Sequence, residues 1–364
     1  MAGIYVHIPF CKSRCVYCGF YSTTRHELRR RYVDALCREW QLRRNYINEP
    51  VRTIYIGGGT PSQLALDELQ QLFGVLGSAE EVTIEVNPDD VTDSFASLLS
   101  GLPVNRVSMG AQTFSDERLK FIGRRHTSVQ VSEAVSRLRK AGIDNVSIDL
   151  MYGFPEETLS EWHADIDHAL SLGVEHLSAY ALMYEEGTPL FRLLEEGRVE
   201  EADEELSRQM YYDLIDRLSA AVYEHYEISN FAKAGYRSRH NSSYWNQTPY
   251  IGLGTAAHSY DGVSRQWNVD DVAKYIDGVE QGQLNCEREE LDETTRYNDL
   301  VMTALRTSDG LSLSLLSELH YNYCLQQARR YLDDGLLVNE KGRLRLSRRG
   351  LFVSDMIMCD LMLV

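Results

Sequence analysis

From residue 3 to about residue 225, short β-rich runs alternate with helix-like stretches, and this alternation limits the folds that the chain can adopt. The six β-rich runs are GIYVHIPF, RTIYIGGG, EVTIEVNP, NRVSMGAQ, NVSIDLMYG and HLSAYALM. Three of the helix-like stretches between them end at or just before a glycine, as helix C-termini commonly do. Repeated strand–helix units predict an α/β fold with a parallel sheet, which is either an incomplete TIM-like barrel or a doubly wound sheet.

The pattern changes twice further along the chain. Residues 226–290 are less regular and richer in Tyr, Asn and Gly. From about residue 291, three short helix-like segments precede a hairpin-like stretch, LLVNEKGRLRLSRRG. We therefore predict a barrel over residues 1–225, a connecting region over 226–290 and a small winged-helix-like α+β domain over 291–364.

Composition narrows the classes of partner. The net charge of −17 disfavours generic binding to phosphate backbones, so the basic C-terminal hairpin is interpreted as a solvated face and no nucleic-acid partner is predicted. No apolar run is long enough to span a membrane, and MAGIYVHIPF lacks the features of a secretory signal, so we expect a cytoplasmic protein. The apolar C-terminal segment, interrupted by Asp355 and Asp360, predicts a packed helix, with a peripheral membrane contact as the alternative.

Three of the seven cysteines, Cys11, Cys15 and Cys18, lie within eight residues in CKSRCVYCGFYS. In a reducing compartment such a group indicates a metal site rather than disulfide bonds. Structural zinc takes four protein ligands, so zinc would need a remote fourth Cys or His. A [4Fe–4S] cluster needs an outer ligand on each of its four irons, so three thiolates would leave one iron open to another ligand.

A second motif, YIGGGTPS, ends a predicted strand with three glycines, which tolerate positive φ and close approach of the backbone to a ligand. A tight strand–helix turn would explain these glycines equally well. Polar residues also stand at or near the ends of other predicted strands, where barrel sites are built. These are Glu85, Gln112 and Asp149, with Arg124 before a helix. Each has an alternative structural explanation as a surface acid, a cap or an ion-pair partner.

The stretch YVHIPFCKSRCVYCGF resembles the radical S-adenosylmethionine (SAM) superfamily. Within it, the resemblance is to the branch that contains oxygen-independent coproporphyrinogen III dehydrogenases and HemW-type haem chaperones. It covers about residues 3–360 and implies a (β/α)6 barrel in which the three cysteines bind a [4Fe–4S] cluster and SAM chelates the fourth iron. The residues that it implies for SAM contact are Tyr5, Tyr17, Gly58, Gly59, Thr60, Glu85, Gln112, Arg124, Asp149 and Ala181.

The sequence departs from the dehydrogenase pattern at the cysteine motif. The dehydrogenases carry a further Cys two positions after the third, where this chain has Phe20. They also have an N-terminal extension before the motif, and here Tyr5 follows only four residues. Both differences favour the haem-chaperone branch over the dehydrogenases.

The stretch RHNSSYWNQ matches the HNxxYW motif of the haem-chaperone branch at His240, Asn241, Tyr244 and Trp245. The match implies that these residues bind haem. A neutral imidazole is a common axial ligand of haem iron, and Tyr and Trp rings can pack against a macrocycle. A second histidine nearby, His258, is interpreted as mainly structural.

We therefore predict a haem chaperone, rather than an enzyme, that transfers haem to a recipient haemoprotein and carries a SAM-bound cluster. The alternative is a coproporphyrinogen III dehydrogenase, in which the cofactor's radical chemistry decarboxylates propionate side chains. A non-catalytic zinc or nucleic-acid module is disfavoured by the acidic charge and the ligand count. The resemblance also allows a homodimer and a membrane-associated protein.

Overall fold

The computed structural model describes residues 1–363, which form a twelve-stranded sheet and a separate three-stranded sheet. Strands β1–β6 of the large sheet lie side by side in chain order, and all neighbouring pairs among them are parallel. This order confirms the predicted incomplete (β/α)6 barrel, because a doubly wound sheet would reverse its strand order near the middle. The elements of this part are β1 (Ala2–Ile8), α1 (Arg29–Arg43), β2 (Val51–Gly58), α2 (Leu66–Leu76), β3 (Glu81–Val86), α3 (Asp93–Ser100), β4 (Arg106–Gln112), α4 (Asp116–Phe121), α5 (Ser128–Lys140), β5 (Asn145–Tyr152), α6 (Leu159–Ser171) and β6 (His176–Ala181).

The large sheet continues at both edges of the parallel strands. Strand β9 pairs in parallel with β1 and leads to β10–β12, while β8 and β7 extend the sheet antiparallel beyond β6. The elements are α7 (Pro189–Glu195), α8 (Glu204–Ala220), β7 (Glu224–Glu227), β8 (Asn230–Ala232), α9 (Arg239–Trp245), β9 (Tyr250–Leu253), β10 (His258–Tyr260), β11 (Ser264–Asn268), α10 (Val272–Glu280) and β12 (Cys286–Glu290). The predicted boundary after residue 225 falls inside β7, and the three-domain division stays a prediction.

The six parallel strands alternate between aliphatic and mainly polar side chains, so each strand has an apolar face and a polar face. The aliphatic residues belong to one buried core that also includes the barrel helices; they are Ile4, Val6, Ile8, Ile54, Ile56, Val82, Ile84, Val107, Met109, Val146, Ile148, Leu150, Leu177 and Ala179. The opposite face forms the interior of the partial barrel, which we call the lumen. Hydrogen bonds or ring contacts join several of its side chains, for example Tyr55 to Glu85 and Ser147 to His176. The lumen positions are Tyr5, His7, Thr53, Tyr55, Glu81, Thr83, Glu85, Arg106, Ser108, Ser147, Asp149, His176 and Ser178.

The C-terminal elements enclose a core of their own, which includes Val301, Cys324 and Ile357. They are α11 (Glu293–Leu305), β13 (Leu311–Ser312), α12 (Glu318–Asp333), β14 (Leu337–Glu340), β15 (Arg343–Leu346), α13 (Arg348–Leu351) and α14 (Ser354–Leu361). The predicted hairpin is present as β14 and β15, and β13 completes the small sheet in the order β13-β15-β14. Within residues 1–363, none of the helices combines the length and the apolar character that crossing a membrane requires.

Candidate functional site

A cavity of about 670 Å³ lies at the carboxyl ends of β1–β6, where the loops that follow the strands converge. This is the end at which parallel barrels build their sites. The predicted residues that line it are Cys11, Cys15, Cys18, Tyr17, Gly58, Gly59, Thr60, Glu85, Gln112, Arg124, Asp149 and Ala181. Tyr5 is the one predicted SAM residue that does not line the cavity. Its hydroxyl lies 3.0 Å from His7 Nδ1, deeper in the lumen.

The loop that carries the three cysteines is held at its start and near its middle by backbone hydrogen bonds. Cys11 N donates to Thr23 O at 2.9 Å, and Val16 N donates to Ile122 O at 3.1 Å. The thiols also meet polar groups from other loops, since Thr60 Oγ1 donates to Cys11 Sγ at 3.5 Å and an Arg124 nitrogen lies 3.8 Å from Cys15 Sγ. The loop therefore presents its thiols to the cavity in a defined arrangement.

The thiols fit a multi-iron cluster better than a single metal ion. Among residues 1–363, no set of three or more His, Cys, Asp or Glu side chains is close enough to hold one ion. In a [4Fe–4S] cluster each thiolate binds a different iron, so its cysteines need only surround a shared space. Burial raises the pKa of the Cys11 and Cys18 thiols, so binding of a cationic cluster would have to supply the free energy that deprotonates them.

The glycine motif packs against the end of β1, next to the cysteine loop. Gly58 has a φ of +106°, and a Cβ atom there would lie 2.6 Å from the His7 ring. A Cβ atom on Gly59 would lie 2.7 Å from the backbone carbon of Pro9. Gly59 N also donates to Ile8 O at 2.8 Å. The glycines are therefore required by close packing, and this packing places the glycine loop beside the cysteines.

Charged groups of both signs face the cavity. Glu85 accepts hydrogen bonds from Gly58 N at 3.0 Å and from the Tyr55 hydroxyl at 2.7 Å, and burial raises its pKa to about 7. Burial also raises the pKa of Asp149. Arg124 brings a positive charge to the cavity, and its guanidinium donates to Gly110 O at 2.5 Å. A ligand with an ammonium, hydroxyls and a carboxylate would find partners for all of them here.

Gln112 takes part in the cavity wall through an uncommon backbone conformation. Its φ is 68°, in the left-handed region that few non-glycine residues adopt. The register of β4 against β5 shifts between Gly110 and Gln112, which is the geometry of a β-bulge. Strained backbone of this kind is concentrated at functional sites, which agrees with the position of Gln112 on the cavity.

The HNxxYW motif forms the short helix α9 at the opposite end of the lumen. His240 is 1% exposed, and its two ring nitrogens form hydrogen bonds with Thr53 Oγ1 and with the Tyr244 hydroxyl, each at 2.8 Å. Its ring stacks on Tyr55 with 5.1 Å between centroids. Burial, together with the charge of Arg106, lowers the pKa of His240 to about 3, so its imidazole is neutral.

The first turn of α9 is anchored to the beginning of β3. The backbone N–H groups of Arg239 and His240 each donate to Glu81 at 2.9 Å. At the other end of the helix, the Arg306 guanidinium covers the Trp245 ring, with its carbon 4.7 Å from the ring centroid. Asn241, which completes the motif, is half-buried and donates its backbone N–H to Ser238 Oγ.

The structure does not bring the two predicted sites together. Thr53, which contacts His240, precedes Gly58 by five positions along β2, a distance of about 17 Å for an extended strand. Because both ring nitrogens of His240 have partners, binding of a metal ion by this side chain would require one of these hydrogen bonds to break. His258, by contrast, is exposed and stacks on Trp267.

The lumen residues that lie between the two sites, above all Tyr55 and Arg106, were not predicted from the sequence. Arg106 is 1% exposed, and its Nε and Nη1 atoms have no hydrogen-bond partner within the described part of the chain. A usable signal was present in EVTIEV and NVSIDL, where polar residues alternate with aliphatic ones. Parallel strands covered by helices on both faces are instead almost continuously apolar, so the alternation indicates a polar interior.

Comparisons with known proteins agree with this geometry. Residues 5–169 match the model of the radical SAM superfamily, and residues 291–353 match that of the HemN C-terminal domain. The chain is 33% identical to the haem chaperone HemW of Lactococcus lactis, with 95% of this chain and 93% of the relative covered. It is 36% identical to the haem chaperone HemW of Bacillus subtilis, with 87% and 86% covered.

Among solved structures, the fold is similar to that of coproporphyrinogen III oxidase (HemN) from Escherichia coli. The TM-score is 0.84 at 21% sequence identity, and the match covers 99% of this chain and 89% of the other. At this identity the likeness shows the fold, and the function has to be argued from the site.

Proposed function

This chain belongs to the HemW family within the radical SAM superfamily, and we propose that it is a haem chaperone that binds haem and transfers it to recipient haemoproteins. The observation that carries the proposal is its similarity, over most of its length, to two haem chaperones at 33% and 36% identity. The HNxxYW motif at residues 240–245 supports the same conclusion. We place this activity in the cytoplasm.

The cavity is proposed to hold a [4Fe–4S] cluster and SAM. Cys11, Cys15 and Cys18 would ligate three irons, which leaves the fourth iron for SAM. In the superfamily the bound pair supplies one-electron chemistry. The remaining cavity residues would bind and orient SAM, with Glu85 and Asp149 toward its positively charged or hydroxyl groups and Arg124 toward the cysteine loop.

The haem site is proposed at α9, with His240 as axial ligand and with Asn241, Tyr244 and Trp245 around the macrocycle. The neutral state of His240 supports this role, since an imidazole binds iron through an unprotonated nitrogen. In the described conformation the ring is inside the lumen, so haem binding would require α9 to release His240 from Thr53 or Tyr244. In this proposal, haem transfer would take place in a homodimer or at a membrane surface.

The second candidate is coproporphyrinogen III dehydrogenase, since residues 291–353 match the model of the HemN C-terminal domain. One residue of the cavity, Phe20, disfavours this candidate. Phe20, where the dehydrogenases have a further cysteine, lines the cavity and is 74% exposed, so it presents an apolar ring instead of a thiol.

The two candidates can be separated with the cluster-reconstituted protein under anaerobic conditions. One sample receives haem, and a parallel sample receives coproporphyrinogen III with SAM and a reductant. We expect saturable haem binding and no protoporphyrinogen at catalytic turnover. Decarboxylated product at many turnovers per protein would instead establish the dehydrogenase.

The haem ligand is tested by His240→Ala, with His258→Ala as the matched control because His258 is exposed and lies outside the motif. We expect His240→Ala to weaken haem binding at least tenfold and to change the haem absorbance, since the iron loses its axial nitrogen. His258→Ala should leave both unchanged. Circular dichroism establishes that each variant is folded, and unchanged haem affinity in a folded His240→Ala would remove His240 as the ligand.

A further inference from the structure

We propose that the lumen couples the two sites, such that SAM binding in the cavity holds His240 inside the barrel and weakens haem binding. The inference rests on the proposed function, because it describes the regulation of the haem site proposed there. The supporting observation is a connected set of contacts in the lumen, which runs from the cavity to His240.

Tyr55 is the residue that contacts both sites. Its hydroxyl donates to Glu85 at 2.7 Å, and the other oxygen of that carboxylate accepts from Gly58 N in the glycine motif. The same tyrosine ring stacks on His240 at 5.1 Å. A single buried side chain therefore touches a cavity carboxylate at its hydroxyl and the proposed haem ligand at its face.

A second set of contacts supports Tyr55 from β1. The Tyr5 ring stacks on Tyr55 with 6.2 Å between centroids, and its hydroxyl lies 3.0 Å from His7 Nδ1. His7 in turn packs against Gly58, and its Nε2 lies 3.0 Å from Tyr21 O near the cysteine loop. This explains the position of Tyr5, which the family resemblance implied as a SAM contact but which lies below the cavity.

Two states of α9 follow from the bonding of His240. Both ring nitrogens have partners, so the iron of haem can bind only if the ring leaves Thr53 or Tyr244. Movement of the ring also removes one of the two stacking contacts of Tyr55 and leaves it with Tyr5 and Glu85. The state in which His240 bonds both Thr53 and Tyr244 and the haem-bound state therefore differ in the environment of Tyr55. A cavity ligand that contacts this environment can favour one state over the other.

The direction of the coupling follows from what a cavity ligand does to Glu85. A ligand that contacts this carboxylate restricts its motion and keeps the Tyr55 hydrogen bond formed. The lumen is then more rigid, and release of His240 becomes less favourable. By linkage, bound haem must weaken SAM binding by the same factor.

The experiment measures haem affinity of the cluster-reconstituted protein by absorbance titration, with and without saturating SAM and with no reductant. For the wild type we expect the haem dissociation constant to rise by about fivefold or more when SAM is present, the lower end of usual coupling. Tyr55→Phe keeps the ring and removes the hydroxyl, so the ratio should fall to about one. Tyr184→Phe, whose hydroxyl bonds Glu200 O outside the lumen, should keep the wild-type ratio.

A second readout does not involve haem. Amide hydrogen exchange of residues 239–245 should slow when SAM binds to the wild type and should not respond in Tyr55→Phe. Haem binding that SAM does not affect would overturn the coupling and leave the proposed function intact. A protein that binds no haem but shows the exchange effect would refute the proposed function and retain the connection through the lumen.

Discussion

At the residue scale, three of the seven cysteines differ from the others because they face one cavity. Of the others, Cys37 and Cys324 are buried in the two hydrophobic cores, where a thiol acts as a small apolar group. Cys286 and Cys359 are exposed and lie outside the cavity.

The cluster assignment is tested by Cys11→Ser, Cys15→Ser and Cys18→Ser. Each should lose the anaerobic iron–sulfur absorbance and most of the bound iron, because a serine hydroxyl is a poor substitute for a soft thiolate. Cys286→Ser is the control and should retain a full complement of iron and sulfide. A complete cluster in any of the three cavity variants would contradict the ligand assignment.

At the element scale, α9 is short and depends on a partner from the barrel. Seven residues make fewer than two turns, so the helix gains little from its own hydrogen bonds. Its first backbone N–H groups are instead paired with the Glu81 carboxylate at the beginning of β3. A carboxylate at a helix N-terminus is favoured by the helix dipole as well as by hydrogen bonding.

Glu81→Ala should therefore destabilise the protein by about 2–3 kcal/mol, since it leaves two backbone donors of α9 without a partner. The adjacent Glu80→Ala is a matched control. Glu80 forms ion pairs with Arg52 and Arg239 at the surface, and its removal should change stability by no more than about 0.5 kcal/mol. Urea unfolding measures the difference, and equal effects of the two substitutions would refute the anchoring role of Glu81.

At the scale of the whole molecule, two hydrophobic cores are joined next to α9. Arg306, which follows α11, pairs with the fully buried carboxylate of Glu227 at 3.2 Å and covers the Trp245 ring. Its backbone O also accepts from Ile228 N at 3.1 Å. The C-terminal elements thus contact the HNxxYW motif directly, in addition to enclosing their own core.

Arg306→Met should lower the free energy of unfolding by about 3 kcal/mol, because it removes the cation that pairs with a buried carboxylate. Arg296→Met, on the exposed side of α11, is the control and should have little effect. Adding Glu227→Gln to Arg306→Met should recover part of the loss, and the double-mutant cycle gives the coupling energy. Additive effects would show that the pair does not stabilise the junction.

The alternation of strands and helices was enough to predict a parallel α/β sheet, and the change of pattern near residue 291 was enough to predict the small C-terminal module. The choice of the barrel and the set of SAM residues came from the family resemblance. The cysteine motif and YIGGGTPS lie together because the carboxyl ends of successive parallel strands meet at one edge of the sheet. The alternation of polar and aliphatic residues within the strands also indicates the polar lumen.

The setting of the HNxxYW motif depends on contacts between residues that are far apart in the chain. His240 bonds Thr53, which is 187 positions away in the chain, and its backbone N–H bonds Glu81 at a separation of 159. No local pattern specifies partners so far apart in the chain. The partners depend on which strands have their N-terminal ends beneath α9 after the sheet has formed. The motif identified the residues, and packing across the barrel placed the imidazole inside the lumen with both of its nitrogens bonded.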